Sequence, residues 1–253
     1  MIAGLKRLLP QGLKERTKRL MKKWALGSPD CAISFSSNGQ DLMLSYLFFY
    51  KGTGRYVDVG AHHPSRGSNS YLLYLKGWRG INIDPLPGCM KEFQRVRPLD
   101  VNLEIGIAEH EGTATYFVMP GAGDMNTFSP EFLEKMHVGR DLAKPTEVRT
   151  RPLQAIFDEH VPPAETIDVL MIDVEGYELE VLKSNDWEKY RPVVIMAEHH
   201  DELSVEIYKT EIVRYLSLHR YRLISKTPSE LVFLDHSYEL HPTGVIAKFL
   251  TAN

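Results

Sequence analysis

Four short apolar runs in this 253-residue chain close on carboxylates. Val57 leads into Asp58, followed by Gly60, Ala61, His62 and His63. Ile83 leads into Asp84 and Pro85, Ile172 into Asp173 and Glu175, and Ala197 into Glu198, His199 and His200. Acids are rarely buried without a partner, so this recurrence calls for a cation, a hydroxyl-rich ligand, or both. A carboxylate pair such as Asp173 and Glu198 can hold a hard divalent ion such as Mg²⁺ through oxygen ligands and lower the pKa of a bound hydroxyl. Glu175 stands two residues beyond Asp173, on the same side of an extended backbone, and could complete that cluster. A histidine base is the other device, with His199, then His62, then His200 as candidates.

Each residue also has a plainer reading. Asp58 and Asp84 could cap helix N-termini. Glu175 and Glu178 could serve a helix macrodipole, and His63 and His200 could be structural or solvent-facing. Gln40 and Asp41 precede an apolar helical run and could cap it.

The elements that must position these groups alternate in type. Strands are expected at 55–61, 80–85, 101–108, 167–173 and 192–198, with helices at 68–76, 87–95, 153–160, 177–183 and 205–219. Residues 113–119 alternate apolar and polar side chains and read as a hairpin partner, and 221–225 and 231–234 as a closing antiparallel pair. Strands alternating with helices predict a doubly wound α/β domain: a mostly parallel sheet, an antiparallel C-terminal strand, and helices on both faces. Residues 120–147 show no clear period, which suggests a lid or binding loop. In such sheets ligands bind beyond the carboxyl ends of the strands, where the acids lie.

Composition limits the alternatives. The chain is 43% apolar and 25% charged, as expected of a globular domain, and no stretch approaches the length needed to span a bilayer. Residues 1–24 carry a net +7 and the remainder −10, so the acidic body is a poor nucleic-acid partner. A basic amphipathic extension is expected over 1–27 and the main domain over 28–253. Two readings of the extension stay open: contact of residues 1–24 with an anionic membrane surface, or packing on the domain or on a second copy in a homo-oligomer. With only Cys31 and Cys89 and no secretory leader pattern, a cytoplasmic setting is expected, with the extension at the inner face of the membrane.

The turn after the first strand narrows the ligand. A dinucleotide site needs a glycine triplet so that backbone can approach a pyrophosphate. Here Gly60 stands without another glycine until Gly67. S-adenosylmethionine has no phosphate; it offers a sulfonium, an amino acid end and a ribose diol. Asp58 could draw its cationic end, Gly60 admit its close approach, and Asp84 accept from both ribose hydroxyls.

The series Ser37-Asn38-Gly39-Gln40-Asp41, YVDVGAHHP, Ser68-Asn69-Ser70, GWRGINIDP and IDVEGYE, with Val181 and Leu182 after it, resembles the FkbM family of S-adenosylmethionine-dependent methyltransferases. The resemblance covers roughly residues 36 to 200. It implies a Rossmann-like class I methyltransferase sheet and O-methylation of a sugar, glycan or polyketide-like hydroxyl. It also implies cofactor contacts from Asp58, Gly60 and Asp84, with Ser68 and Asn69 opening the next helix beside the cofactor. His62 is counted with that group, and Asp173, Glu175 and His199 form the catalytic set. The rivals are a metal-dependent hydrolase using the histidine pairs, and a non-catalytic nucleotide-binding module. A nicotinamide-linked oxidoreductase is disfavoured by the missing glycine triplet.

Overall fold

The computed structural model describes residues 32–121, 123–137, 142–199 and 207–239. The chain divides into two compact units, Met1–Ser34 and Phe35–Asn253. The expected basic extension, Cys31 and His200 lie outside the described residues. Among the described residues no helix is long and apolar enough to cross a membrane.

The second unit is built on a seven-stranded sheet. Its strands are β1 (Arg55–Val59), β2 (Arg79–Ile83), β3 (Val101–Leu103), β7 (Val169–Ile172), β8 (Val194–Glu198), β9 (Tyr221–Lys226) and β10 (Glu230–Asp235). They lie in the order β3-β2-β1-β7-β8-β10-β9. Every pairing is parallel except those of β10, which runs antiparallel to both β8 and β9. The chain builds outward from β1 through β2 to β3, then returns to place β7 on the other side of β1. That reversal is the topological switch point, where crevices open in such sheets.

Side chains alternate across the sheet with a period of two. Val57, Val59, Leu170, Ile172, Ile195, Ala197, Leu231 and Phe233 face helices α5 (Leu153–His160), α6 (Glu178–Lys183) and α7 (Glu211–Leu218). Tyr56, Val169, Met171, Val194, Met196, Val232 and Leu234 face α1 (Gln40–Leu47) and α2 (Tyr71–Leu75). Each such fully buried aliphatic side chain contributes on the order of 1.5–3 kcal/mol. Both faces are covered, as the alternating strand and helix pattern predicts.

Two expectations are corrected. The strand predicted over 101–108 ends at Leu103, and Gly106–Ile107 starts a separate sheet as β4, which pairs with β6 (Lys144–Arg151). A Cβ at Gly106 would lie 2.5 Å from the Phe128 ring, so the crossing between sheets needs glycine there. The hairpin partner at β5 (Gly112–Val118) does form, and its mate is β6. Residues 120–147 are thus not structureless: they hold a 3₁₀ turn at Gly123–Met125, helix α4 (Pro130–Lys135) and the start of β6. Ser129 caps α4 by accepting from the Phe132 amide at 3.1 Å. Helix α3 (Met90–Val96) completes the set.

Candidate active site

The carboxyl ends of the parallel strands open onto a cavity of about 650 Å³, a size suited to a cofactor. Read in sheet order, its floor runs from Ile105 beyond β3 to Asp84 beyond β2, then Asp58 to His62 at and just beyond the end of β1. It continues through Asp173 to Glu175 beyond β7 and Glu198 at the end of β8 to Glu230 at the start of β10. Because β10 is antiparallel, its first residue meets the last residue of β8, and Glu230 pairs in register with Glu198.

Asp84 is buried, which pushes its carboxyl above the ordinary range, while the amides of Leu86 and His62 pull it back. Its Oδ2 accepts from the His62 amide at 2.8 Å and its Oδ1 from the Leu86 amide at 2.9 Å. His62 has a φ of 48° and so turns the chain at this point. Its imidazole lies on the cavity wall, but its hydrogen bond to Asp84 is made by the backbone. Gly60 has a φ of 82°, and a Cβ there would come 1.7 Å from the Asp173 carbonyl oxygen. The expected reason for this glycine, room for a ligand, is joined by a stronger one: the β1 and β7 tips touch there.

Asp58 is also buried and raised by that burial, with the Ser70 hydroxyl and Arg97 acting in the opposite direction. Ser70 Oγ donates to its Oδ2. Ser68 and Asn69 are buried and line the cavity. They precede α2 rather than forming its first turn, because their segment is held by the Arg97 side chain instead of helical hydrogen bonds.

Asp173, Glu175 and Glu198 each offer one oxygen, and these oxygens lie within 4.8 Å of one another. Asp173 is driven well above the carboxylate range by loss of solvent, then by the charges of Glu198 and Glu175, and it hydrogen-bonds to Glu198. Glu175 does not sit in extended backbone as expected; its φ is 55°, and the following Gly176 has 89°. The loop is held by Glu178, whose Oε1 accepts from the Val174 and Gly176 amides at 3.1 Å each. Burial, then the charge of Glu198, raises Glu178 to about 7. Among the described residues, this metal-ligand cluster contains carboxylates only.

The segment joining β5 to β6 covers one side of the cavity. Gly123, Met125, Asn126, Phe128, Phe132 and Met136 all reach it. Tyr116, Phe128 and Tyr177 form a row of rings with centroids 4.8 and 5.5 Å apart. Of the stretch 120–147, expected to be a lid or binding loop, described residues between Gly123 and Met136 line the cavity.

Nine predicted residues thus line one cavity: Asp58, Gly60, His62, Ser68, Asn69, Asp84, Asp173, Glu175 and Glu198. His199 is not among the lining residues; its amide donates to the Ser229 carbonyl at 2.7 Å, closing the β8–β10 tip. His63 lines the cavity, and its Nδ1 accepts from the Ser65 and Arg66 amides, holding the turn. Asp41 is fully buried and ties the residues before α1 together by accepting from Phe35 and Ser36. Gln40, by contrast, reaches the cavity and donates to Glu230 at 2.5 Å. Sequence reasoning missed Arg97, Glu230 and Tyr116. Of these, only Tyr116 had a usable signal, as an apolar position in an alternating strand.

Over residues 58–223 the chain matches the family described as the methyltransferase FkbM domain. It is 28% identical over 171 residues to methyltransferase sdnD of Sordaria araneosa, a match covering 55% of this chain and 64% of that protein. The chain therefore spans just under two thirds of this curated relative. Among solved structures, a putative O-methyltransferase from Klebsiella pneumoniae shows 11% identity and a TM-score of 0.41, covering 91% of this chain and 93% of its own. The O-methyltransferase from Bacillus cereus in complex with SAH shows 13% identity and a TM-score of 0.38, covering 89% and 91%.

Proposed function

The chain belongs to the FkbM methyltransferase family, and from that premise we propose that it is an S-adenosylmethionine-dependent O-methyltransferase. Its acceptor, on this reading, is a hydroxyl of a sugar, a glycan or a glycosylated natural product. The observation that carries the proposal is the single cavity that collects acids from neighbouring strand tips in spatial order.

The lining chemistry suits this donor. Ile83, Ile105, Ile107 and the Tyr116, Phe128, Tyr177 ring row give apolar wall for a purine. Asp84, already fixed by two amides, retains lone pairs for a ribose diol. Asp58 offers a carboxylate to an ammonium or sulfonium. Bound there, S-adenosylmethionine supplies an electrophilic methyl carbon. The protein's own tasks are then alignment and proton removal. Asp173 and Glu198, hydrogen-bonded to each other, form a pair that in its ionised state accepts the acceptor's hydroxyl proton. The raised affinity of Asp173 for a proton suits a base for a weakly acidic hydroxyl.

The all-oxygen donor set of Asp173, Glu175 and Glu198 also fits a divalent ion such as Mg²⁺, which would supply Lewis acidity toward the hydroxyl. Among the described residues this cluster holds carboxylates only, a donor set suited to a hard cation or a base. The basic segment 1–24 is proposed to touch an anionic membrane surface. Sedimentation of the full chain with anionic liposomes, lost on deletion of residues 1–26, checks that part.

Incubation with methyl-labelled S-adenosylmethionine and a panel of deoxysugar-bearing glycans, lipids and polyketides tests the activity. Label on a sugar hydroxyl is the expected result. Label confined to sugar-free acceptors would remove the glycan assignment, and no transfer to any acceptor would count against the reaction.

A further inference from the structure

Arg97 presents no surface to solvent, yet it carries a guanidinium beside the proposed donor site. The group lies among aromatic rings, 5.4 Å from the centroid of Phe93, 5.3 Å from Tyr71 and 5.8 Å from Tyr74. Its Nε donates to the Pro64 carbonyl at 2.8 Å. Nη1 donates to Ser70 Oγ at 2.6 Å and to Asn82 Oδ1 at 2.9 Å, and Nη2 donates to Ser68 Oγ at 2.6 Å. Asn82 is the register partner of Asp58 on the neighbouring strand, so the arginine spans the β1–β2 step directly under the cavity.

Guanidinium can only donate, so both serine oxygens are used as acceptors. Each serine has one proton left, and its direction follows. Ser70 gives its proton to Asp58 Oδ2. That commitment leaves Ser70 unable to donate to Ser68, whose Oγ lies 3.4 Å away. In that contact Ser68 is therefore the donor, over a long 3.4 Å, and because Ser68 lines the cavity its proton can turn to a stronger acceptor there. A donor hydroxyl and an acceptor carboxylate, joined through one arginine, make a complementary pair. An amino acid end, with its α-carboxylate and α-ammonium, presents the matching pair.

Resting on the S-adenosylmethionine reading, we infer that Arg97 is a positioning residue for the amino acid end of the methyl donor. It directs Ser68 to donate to the α-carboxylate and, through Ser70, orients Asp58 to accept from the α-ammonium. Arg97 itself touches neither group. The polar contacts that anchor the methionyl end are thus set from beneath by a charge that solvent does not reach.

Two probes separate this role from a structural one. S-adenosylhomocysteine carries the amino acid end; 5′-deoxy-5′-methylthioadenosine keeps the adenosine and lacks that end. Calorimetric titration of the full chain with both is the test, comparing wild type with Ser68→Ala, Ser70→Ala and Arg97→Lys. Each serine variant is expected to weaken S-adenosylhomocysteine at least tenfold and to change methylthioadenosine by less than twofold. Arg97→Lys, which keeps the charge and loses the fork, should show the same split. The serine variants remove a single hydroxyl each and keep the test decisive if Arg97→Lys fails to fold. Equal losses for both probes, or no loss for either, would overturn the inference while leaving the methyltransferase reading in place. Failure of wild type to bind either probe would remove that reading and this inference with it.

Discussion

Gly60 and Asp173 touch through their backbones: a Cβ added to Gly60 would come 1.7 Å from the Asp173 carbonyl oxygen. No side chain fits that gap, and the atom it meets is backbone at the tip of a central strand. Gly60→Ala should therefore force β1 and β7 apart and cost more than about 4 kcal/mol, or prevent folding. Gly88 is a control with a similar φ of 86° and nothing within 4 Å of its added Cβ. Gly88→Ala should cost only the left-handed strain, about 1–2 kcal/mol. Urea unfolding of the two variants checks the contrast, and equal costs would contradict it.

Asp84 accepts two amides from opposite sides of its carboxylate. Asparagine has one acceptor oxygen, so Asp84→Asn strands either the His62 or the Leu86 amide and weakens any hydrogen bond to a diol. The expected loss is about 1.5–3 kcal/mol in S-adenosylhomocysteine affinity, or roughly 10- to 150-fold, read by calorimetry. Unchanged affinity would remove Asp84 from the donor site.

Glu178 titrates near 7 because it is buried beside the charge of Glu198. A carboxyl with a raised folded-state pKa binds its proton more tightly when folded. Its contribution to stability is complete below the unfolded value near 4.5 and is lost as pH rises through about 7. The protein should accordingly be less stable at pH 8 than at pH 5, by on the order of 2 kcal/mol from this group. Glu178→Gln keeps an oxygen for the Val174 and Gly176 amides and removes the charge. Urea midpoints of the variant should change less between the two pH values than those of wild type.

Asp173 stands between the proton-transfer and metal-assisted readings. Asp173→Asn removes the base and the negative charge of one of the three carboxylates, leaving a neutral amide of the same shape. Turnover should fall at least about 100-fold, and any stimulation by Mg²⁺ should disappear. A variant that keeps both its turnover and its Mg²⁺ response would remove Asp173 from both roles.

Much of this architecture is legible from residue order because strands covered on both faces must be apolar throughout. VLMI in β7 and VIMA in β8 read as strands for that reason, and their acid-bearing tips follow directly. The second sheet was not legible. Strand β6 reads KPTEVRTR and buries only Val148 and Thr150, so it lacks a clear apolar period. Arg97 was missed because arginine is ordinarily exposed. Its burial depends on Ser68, Ser70 and Asn82, which lie 29, 27 and 15 residues away, and on three rings. Glu230 fell in the link between the strands expected at 221–225 and 231–234, and its pairing with Glu198 depends on how β10 returns beside β8. Local pattern reveals which residues are buried in strands; it does not reveal which distant polar groups meet.

Thermal unfolding of the full chain with S-adenosylmethionine, and separately with NAD, tests most directly whether the acid-lined cavity receives a methyl donor. At about a hundredfold excess over its dissociation constant, S-adenosylmethionine should raise Tm by about 5 °C or more, with no effect from NAD. No shift with millimolar S-adenosylmethionine, or an equal shift with NAD, would contradict the assignment.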